Sequence, residues 1–138
     1  MARQAAPRID PRDPALRPVK DFLDWLYTTV PELARAWLTI KRVTGTSYTL
    51  VAGDDGLYLR TTSASAVAIT VPPRGSVPFR TGTVIHLRNA GAGQITVVEG
   101  TGVTVNTAAT LKARTQHSSI MLVYIGDDEW DLLGDLEP

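Results

Sequence analysis

Asp127, Asp128, Glu129 and Asp131 form an acidic cluster at the last turn of this sequence and are its first candidates for metal chemistry. Calcium takes about six to eight oxygen ligands, and the EF-hand spacing with its obligatory glycine is absent. The cluster therefore reads as a solvated hairpin tip. His86 alternates with Ile85 and Leu87, which turns it outward beside Arg88, and His117 begins a strand. No paired carboxylates stand at ligand spacing from either histidine, so no metal site is assigned. His117-Ser118-Ser119 invites comparison with a catalytic triad. There is no Gly-x-Ser-x-Gly elbow, and sequence neighbours on a strand point to opposite faces. Gly91-Ala92-Gly93 lacks the second half of a dinucleotide fingerprint and leads into a strand, and no Gly-Lys-Ser/Thr follows it. Without cysteine there is no thiolate metal site, disulfide or cysteine nucleophile. The expectation is a non-enzyme with no catalytic residues, no cofactor and no metal.

The elements that would carry these residues are marked out by composition. The chain has 138 residues, 14 basic and 14 acidic side chains, 11 glycines and 9 prolines. A balanced charge argues against blanketing nucleic acid or an anionic membrane with positive field. No run approaches the roughly 20 apolar residues of a membrane span, and the first residues lack the apolar stretch of a signal peptide. A soluble protein without membrane insertion, nucleic acid or an export address is expected. The balance hides a division. Every glycine lies at or beyond Gly45, and Pro7, Pro11, Pro14 and Pro18 crowd the start. Residues 1–44 carry eight basic and five acidic side chains; residues 45–138 carry six and nine.

Three segments follow. In residues 1–18, proline every three or four positions fixes φ and biases each preceding residue to extended geometry, which excludes helix. This reads as an extended docking arm. Arg3, Arg8, Arg12 and Arg17 are its candidate contacts with a particle, and Asp10 and Asp13 dilute their field. Residues 19–44 read as a helical anchor and oligomerisation segment. Val19, Phe22, Leu26, Leu33, Ile40 and Val43 fall in a 3-4 alternation, the spacing of a coiled-coil seam. Pro31 removes a backbone donor, while Thr29 and Glu32 have capping-box spacing, so one kinked helix or two short ones are expected.

Residues 45–138 change to a period of two. Val67, Ile69 and Val71 alternate with Ala68 and Thr70 before Pro72-Pro73, and Ile85 and Leu87 alternate with His86 and Arg88. Further strands are predicted at 48–51, 57–61, 94–98, 103–106, 111–115, 119–125 and 130–133, separated by Gly- and Asp-rich turns. Short strands at this spacing predict a mainly β protein with a β-sandwich or jelly-roll-like body. Ile120 to Ile125 is apolar on both faces, which predicts a sheet face covered by another copy of the chain. Leu122, Tyr124 and Trp130 in the body, with Leu26, Leu33 and Ile40 in the helical segment, are the expected trimer-interface residues.

An ordered set of short stretches then resembles a small trimeric β module of tailed-bacteriophage virion proteins. The set runs Tyr48-Thr-Leu, Asp54-Asp55-Gly56, Ser63-Ala-Ser-Ala, Ile69-Thr-Val-Pro-Pro73, Pro78-Phe79 and Gly82-Thr83-Val84-Ile85. It continues with Gly91-Ala-Gly-Gln-Ile-Thr-Val97, Gly102-Val-Thr-Val-Asn106, Leu111-Lys-Ala-Arg114 and Trp130-Asp-Leu-Leu-Gly-Asp-Leu136. Residues 1–45 have no counterpart in it. The resemblance implies a homotrimeric tail fibre, spike or capsid-surface fibre, located in the virion, with the N-terminal segment attached to other virion proteins and the β body projecting. Capsid decoration and recognition of a host-surface glycan are the alternatives it leaves. No enzymatic residues come with it.

Overall fold

The computed structural model describes residues 19–24 and 38–138. Residues 19–24 form a helix, and residues 38–138 form a compact β unit of their own. The arm at 1–18 and the predicted helix at 25–37 lie outside the described residues.

The β unit holds nine strands: β1 (Ile40–Val43), β2 (Ser47–Thr49), β3 (Tyr58–Thr61), β4 (Val67–Val71), β5 (Val84–Asn89), β6 (Ile95–Glu99), β7 (Thr104–Thr107), β8 (Ser119–Gly126) and β9 (Glu129–Gly134). They do not form a sandwich of hairpins. The chain winds as a short β-solenoid, alternating between two sheets. β1, β3 and β5 pair in parallel in one sheet, and β2, β4 and β6 pair in parallel in the other. Each successive pair of strands is one rung. After the third rung the winding stops. β8 runs antiparallel beside β5, β9 returns antiparallel beside β8, and β7 pairs parallel with β9 at the edge. The sheets thus have orders β1-β3-β5-β8-β9-β7 and β2-β4-β6.

Parallel pairing sets like on like. Leu59 stacks on Leu87, Val67 on Ile95 and Ile69 on Val97, all buried between the sheets. Leu50, Val71, Ile85, Ile120 and Leu122 complete this core, where each fully buried large aliphatic contributes about 1.5–3 kcal/mol. Trp130 meets Phe79 edge-on at 5.1 Å and Tyr124 at 4.8 Å. The β8–β9 turn is the two residues Asp127 and Asp128, with φ of 50° and 60°, the type I′ geometry whose twist suits a tight hairpin.

Two expectations are corrected here. The helical segment does not extend to residue 44, because Ile40 and Val43 lie in β1 and pair with Tyr58 and Thr61. β-branched residues at positions 39, 40, 43 and 44 suit a pleated strand, and a 3-4 spacing at the end of a heptad pattern does not distinguish the two. The strand predicted at 111–115 is reduced to isolated bridges, Thr96 with Lys112 and Ala113 with Leu136. This stretch still covers the free edge of β6, where Val97 donates to the Leu111 carbonyl at 2.7 Å and Ala113 to that of Ile95 at 2.9 Å.

The connections stack as closely as the strands. A Cβ at Gly93 would lie 1.8 Å from the Ser65 carbonyl oxygen, and one at Gly91 would lie 2.1 Å from that of Ser63. Both obstacles are backbone of the rung before, so neither can swing aside. Gly93→Ala is therefore expected to destabilise the β unit by about 2–3 kcal/mol, as a forced backbone shift does. Gly53→Ala, with nothing within 4 Å of the added carbon, should stay within about 0.5 kcal/mol of the parent. Urea midpoints measure both, and equal midpoints would contradict the stacking of these connections.

Candidate functional site

At the first rung the stacked core turns polar. Lys41 occupies the inner position held by Leu59 one rung later, and Tyr48 the position held by Ile69. The two side chains converge on Asp54, which is fully buried. Its carboxylate accepts from Lys41 Nζ at 2.9 Å, from the Tyr48 hydroxyl at 2.8 Å and from the Val51 amide at 2.9 Å. Lys41 Nζ also donates to the Tyr48 oxygen and lies 4.8 Å from the centre of that ring. The hydrogen bonds to Tyr48 and then to Asp54 hold the Lys41 ammonium above the ordinary lysine range. Burial, foremost, pushes the Tyr48 phenol up as well. An ammonium kept charged and a phenol kept neutral are a poor nucleophile and a poor base. The cluster closes the end of the core at the first rung.

A polar recess of about 330 Å³ lies among Asp55, Arg80, Thr81, Gly82 and Thr83. Asp55 and Arg80 face each other at 3.6 Å and offset one another's charge. The Thr83 hydroxyl is buried without a hydrogen-bond partner among the described residues. None of these five is a histidine, lysine or cysteine.

The candidates singled out by type and spacing are placed as follows. Ser118 is buried, donates to Asp135 at 2.7 Å and accepts from the Thr115 amide at 3.0 Å. His117 does not begin a strand. It sits in the preceding turn with φ of 71°, exposed, its amide bonded to the Asn89 carbonyl. His86 is half-buried on the outer side of β5. Asp127 pairs with Arg74 at 3.2 Å, Asp128 accepts from the Arg74 amide at 2.6 Å, and Glu129 accepts from the Asn106 amide at 2.6 Å. The acidic turn is thereby tied to the connection after β4 and to β7. Among the described residues no three His, Asp or Glu side chains converge as a metal site.

Of the six residues expected at a trimer interface, Leu122, Tyr124 and Trp130 lie in the core of a single chain, each 4% exposed or less. They are not on an outer surface, because β8 and β9 turn these side chains inward between the sheets. Ile40 is 59% exposed on β1. Leu26 and Leu33, and the docking residues Arg3, Arg8, Arg12 and Arg17, lie outside the described residues. What the strand pattern alone missed is an internal repeat. Leu59-Arg-Thr-Thr-Ser-Ala-Ser-Ala-Val aligns position by position with Leu87-Arg-Asn-Ala-Gly-Ala-Gly-Gln-Ile in the stacked rungs, sharing the Leu-Arg start and one Ala. Self-similarity at that offset is a solenoid signal; the parallel strand register also stacks Arg42, Arg60 and Arg88 on the outside.

The end cluster yields two expectations. Asp54→Ala removes the buried carboxylate shared by Lys41, Tyr48 and the Val51 amide, and should cost about 3 kcal/mol by urea unfolding. The upward shifts at Lys41 and Tyr48 mean that the folded state holds these protons more tightly than the unfolded chain. Their contribution is complete below the ordinary values of 10.5 and 10.0 and is lost as pH rises through the folded-state values. The urea midpoint should therefore fall above about pH 10, and Lys41→Gln with Tyr48→Phe should flatten that fall. An unchanged alkaline slope in the double variant would count against the cluster. No family model, curated protein or solved structure matches this chain.

Proposed function

We propose that this chain is a non-enzymatic structural protein of a bacteriophage virion, a homotrimeric tail fibre or spike component attached to the particle through its N-terminal segment. The observation that carries the reading is the ordered set of module-like stretches from Tyr48 to Leu136, following a Pro-spaced and net basic segment. Their placement is consistent with a structural use. Ile69-Thr-Val-Pro-Pro73 ends β4, Gly91-Ala-Gly-Gln forms the tightly stacked connection into β6, and Trp130 anchors β9 in the core. The buried polar groups Asp54, Thr61, Asn89 and Ser118 bind backbone and neighbouring side chains. Work by shape and attachment is what such an economy supports.

Light scattering of the full chain at micromolar concentration is expected to give the mass of a trimer. A monomer with an intact β spectrum would overturn the trimer reading. Leu33→Asp should loosen assembly or incorporation into particles while leaving the β spectrum unchanged; normal assembly would remove the heptad seam from the reading. Tail fibre and capsid decoration differ only in where the N-terminal segment docks, which a density map of the particle distinguishes.

A further inference from the structure

The two sheets carry different outer faces. Outside β2, β4 and β6 stand Ser47, Thr49, Ala68, Thr70, Thr96 and Val98, small and mostly hydroxylated. Outside the six-stranded sheet, the pairing register sets Ile40, Tyr58, His86, Met121 and Leu133 in one row across five strands. Ile40 is 59% and Leu133 43% exposed, and the three between them are half-buried. Val84 and Val123 pair beside this row and widen it. Single exposed apolar residues are ordinary on a protein surface, but this row, apolar except for His86 at its centre, spans five strands and is the kind of surface that marks a contact.

The charges on this face are segregated. On one side of the apolar row Arg42, Arg60 and Arg88 lie directly opposite one another on β1, β3 and β5, at the strand spacing of about 4.8 Å. Like charges opposed across a sheet repel, and among the described residues none of the three makes an ion pair. Arg88 donates only to the Ser119 hydroxyl, at 3.1 Å. On the other side of the row, at the far end of the sheet, Asp131 is half-buried and likewise in no ion pair among the described residues. Glu129, its neighbour on β9, is exposed and bonded to the Asn106 amide. One face therefore holds an uncompensated basic corner, an apolar middle and an acidic corner diagonally opposed.

We propose that a second copy of this chain covers the outer face of the six-stranded sheet, the arginine ladder of one copy lying against Asp131 and Glu129 of the next. The complementarity is contained within one face, so the partner it fits is the same face on another copy. Three such faces turned toward a common axis set the basic edge of each copy beside the acidic edge of the next, a heterologous contact between two different patches that a three-fold closes. The inference rests on the trimer reading only for the number of copies.

Sedimentation and light scattering of the full chain over a concentration series test it. Met121→Asp is expected to weaken self-association by roughly tenfold or more with the β spectrum retained. Arg60→Glu combined with Arg88→Glu should do the same, and adding Asp131→Arg to that pair should restore assembly. The arginine variants alter only surface positions, so they decide the matter even where Met121→Asp fails to fold. Thr70→Asp, on the other sheet's outer face, should leave assembly unchanged. Parental assembly in the double arginine variant overturns the inference while leaving the trimer reading standing. A parental chain that dimerises, with assembly lost in the variants, supports the contact and overturns the three-fold. A monomeric parental chain overturns both. Arginine-dependent binding of dextran sulfate by the fully assembled protein would place the ladder outside the contact and overturn the inference.

Discussion

In-register parallel pairing between successive rungs is the constraint on which the rest of this β unit depends. When β5 lies on β3 and β6 on β4, each residue is set above the residue at the same offset one rung earlier. Inside, that rule favours branched and aliphatic side chains, which stack without polar atoms: Leu59 on Leu87, Val67 on Ile95. At the corner it puts Thr61 beside Asn89, where the threonine hydroxyl donates to the Arg88 carbonyl at 3.2 Å and the asparagine amide to that of Thr115 at 3.0 Å. In the connections it demands that Gly91 and Gly93 lack a Cβ. A single geometric rule thus explains apolar, polar and glycine positions that look unrelated in the sequence.

A stacked core must also end, and its two ends are closed differently. At the first rung, Lys41 and Tyr48 replace the aliphatics that follow them and share the buried Asp54 carboxylate. An isolated buried carboxylate would be costly; three donors and a counter-charge make it tolerable. At the third rung, the parallel order is abandoned for the antiparallel strands β8 and β9, and Trp130, Tyr124 and Phe79 pack together there. Both devices stop propagation, as the atypical terminal units of repeat proteins do.

How much of this could be read from the residues follows from the same rule. Alternation located the strands well where one face is buried, as in Val67–Val71 and Val84–Asn89, because a period of two depends only on the pleat. It said nothing about which strands pair, since a parallel coil and an antiparallel meander share that period. Partner choice was encoded at longer range, in the Leu-Arg stretches at 59 and 87 and in glycines 91 and 93 facing Ser63 and Ser65. Ile40 and Val43 fitted a heptad by spacing and a strand by branching, and the pairing with β3 decided between them. Tyr124 and Trp130 looked like interface residues because β8 is apolar on both sides; its inner side is taken up by the chain's own core.

The outer side of β8 is what remains of that observation. Met121 and Val123 are half-buried and Ile125 is 43% exposed, although the inner positions already satisfy the core of the chain. The fold requires apolar residues only on the inner side, and the sheet formed by β2, β4 and β6 meets that requirement with threonine, serine and alanine outside, Val98 apart. The same architecture can therefore carry a polar outer face, and on one sheet it does. Apolar residues across the other sheet are an addition that folding does not explain, and so is an arginine ladder that folding must tolerate against its own repulsion. Both additions lie on one face, and the proposed contact between copies is a cover that would relieve both.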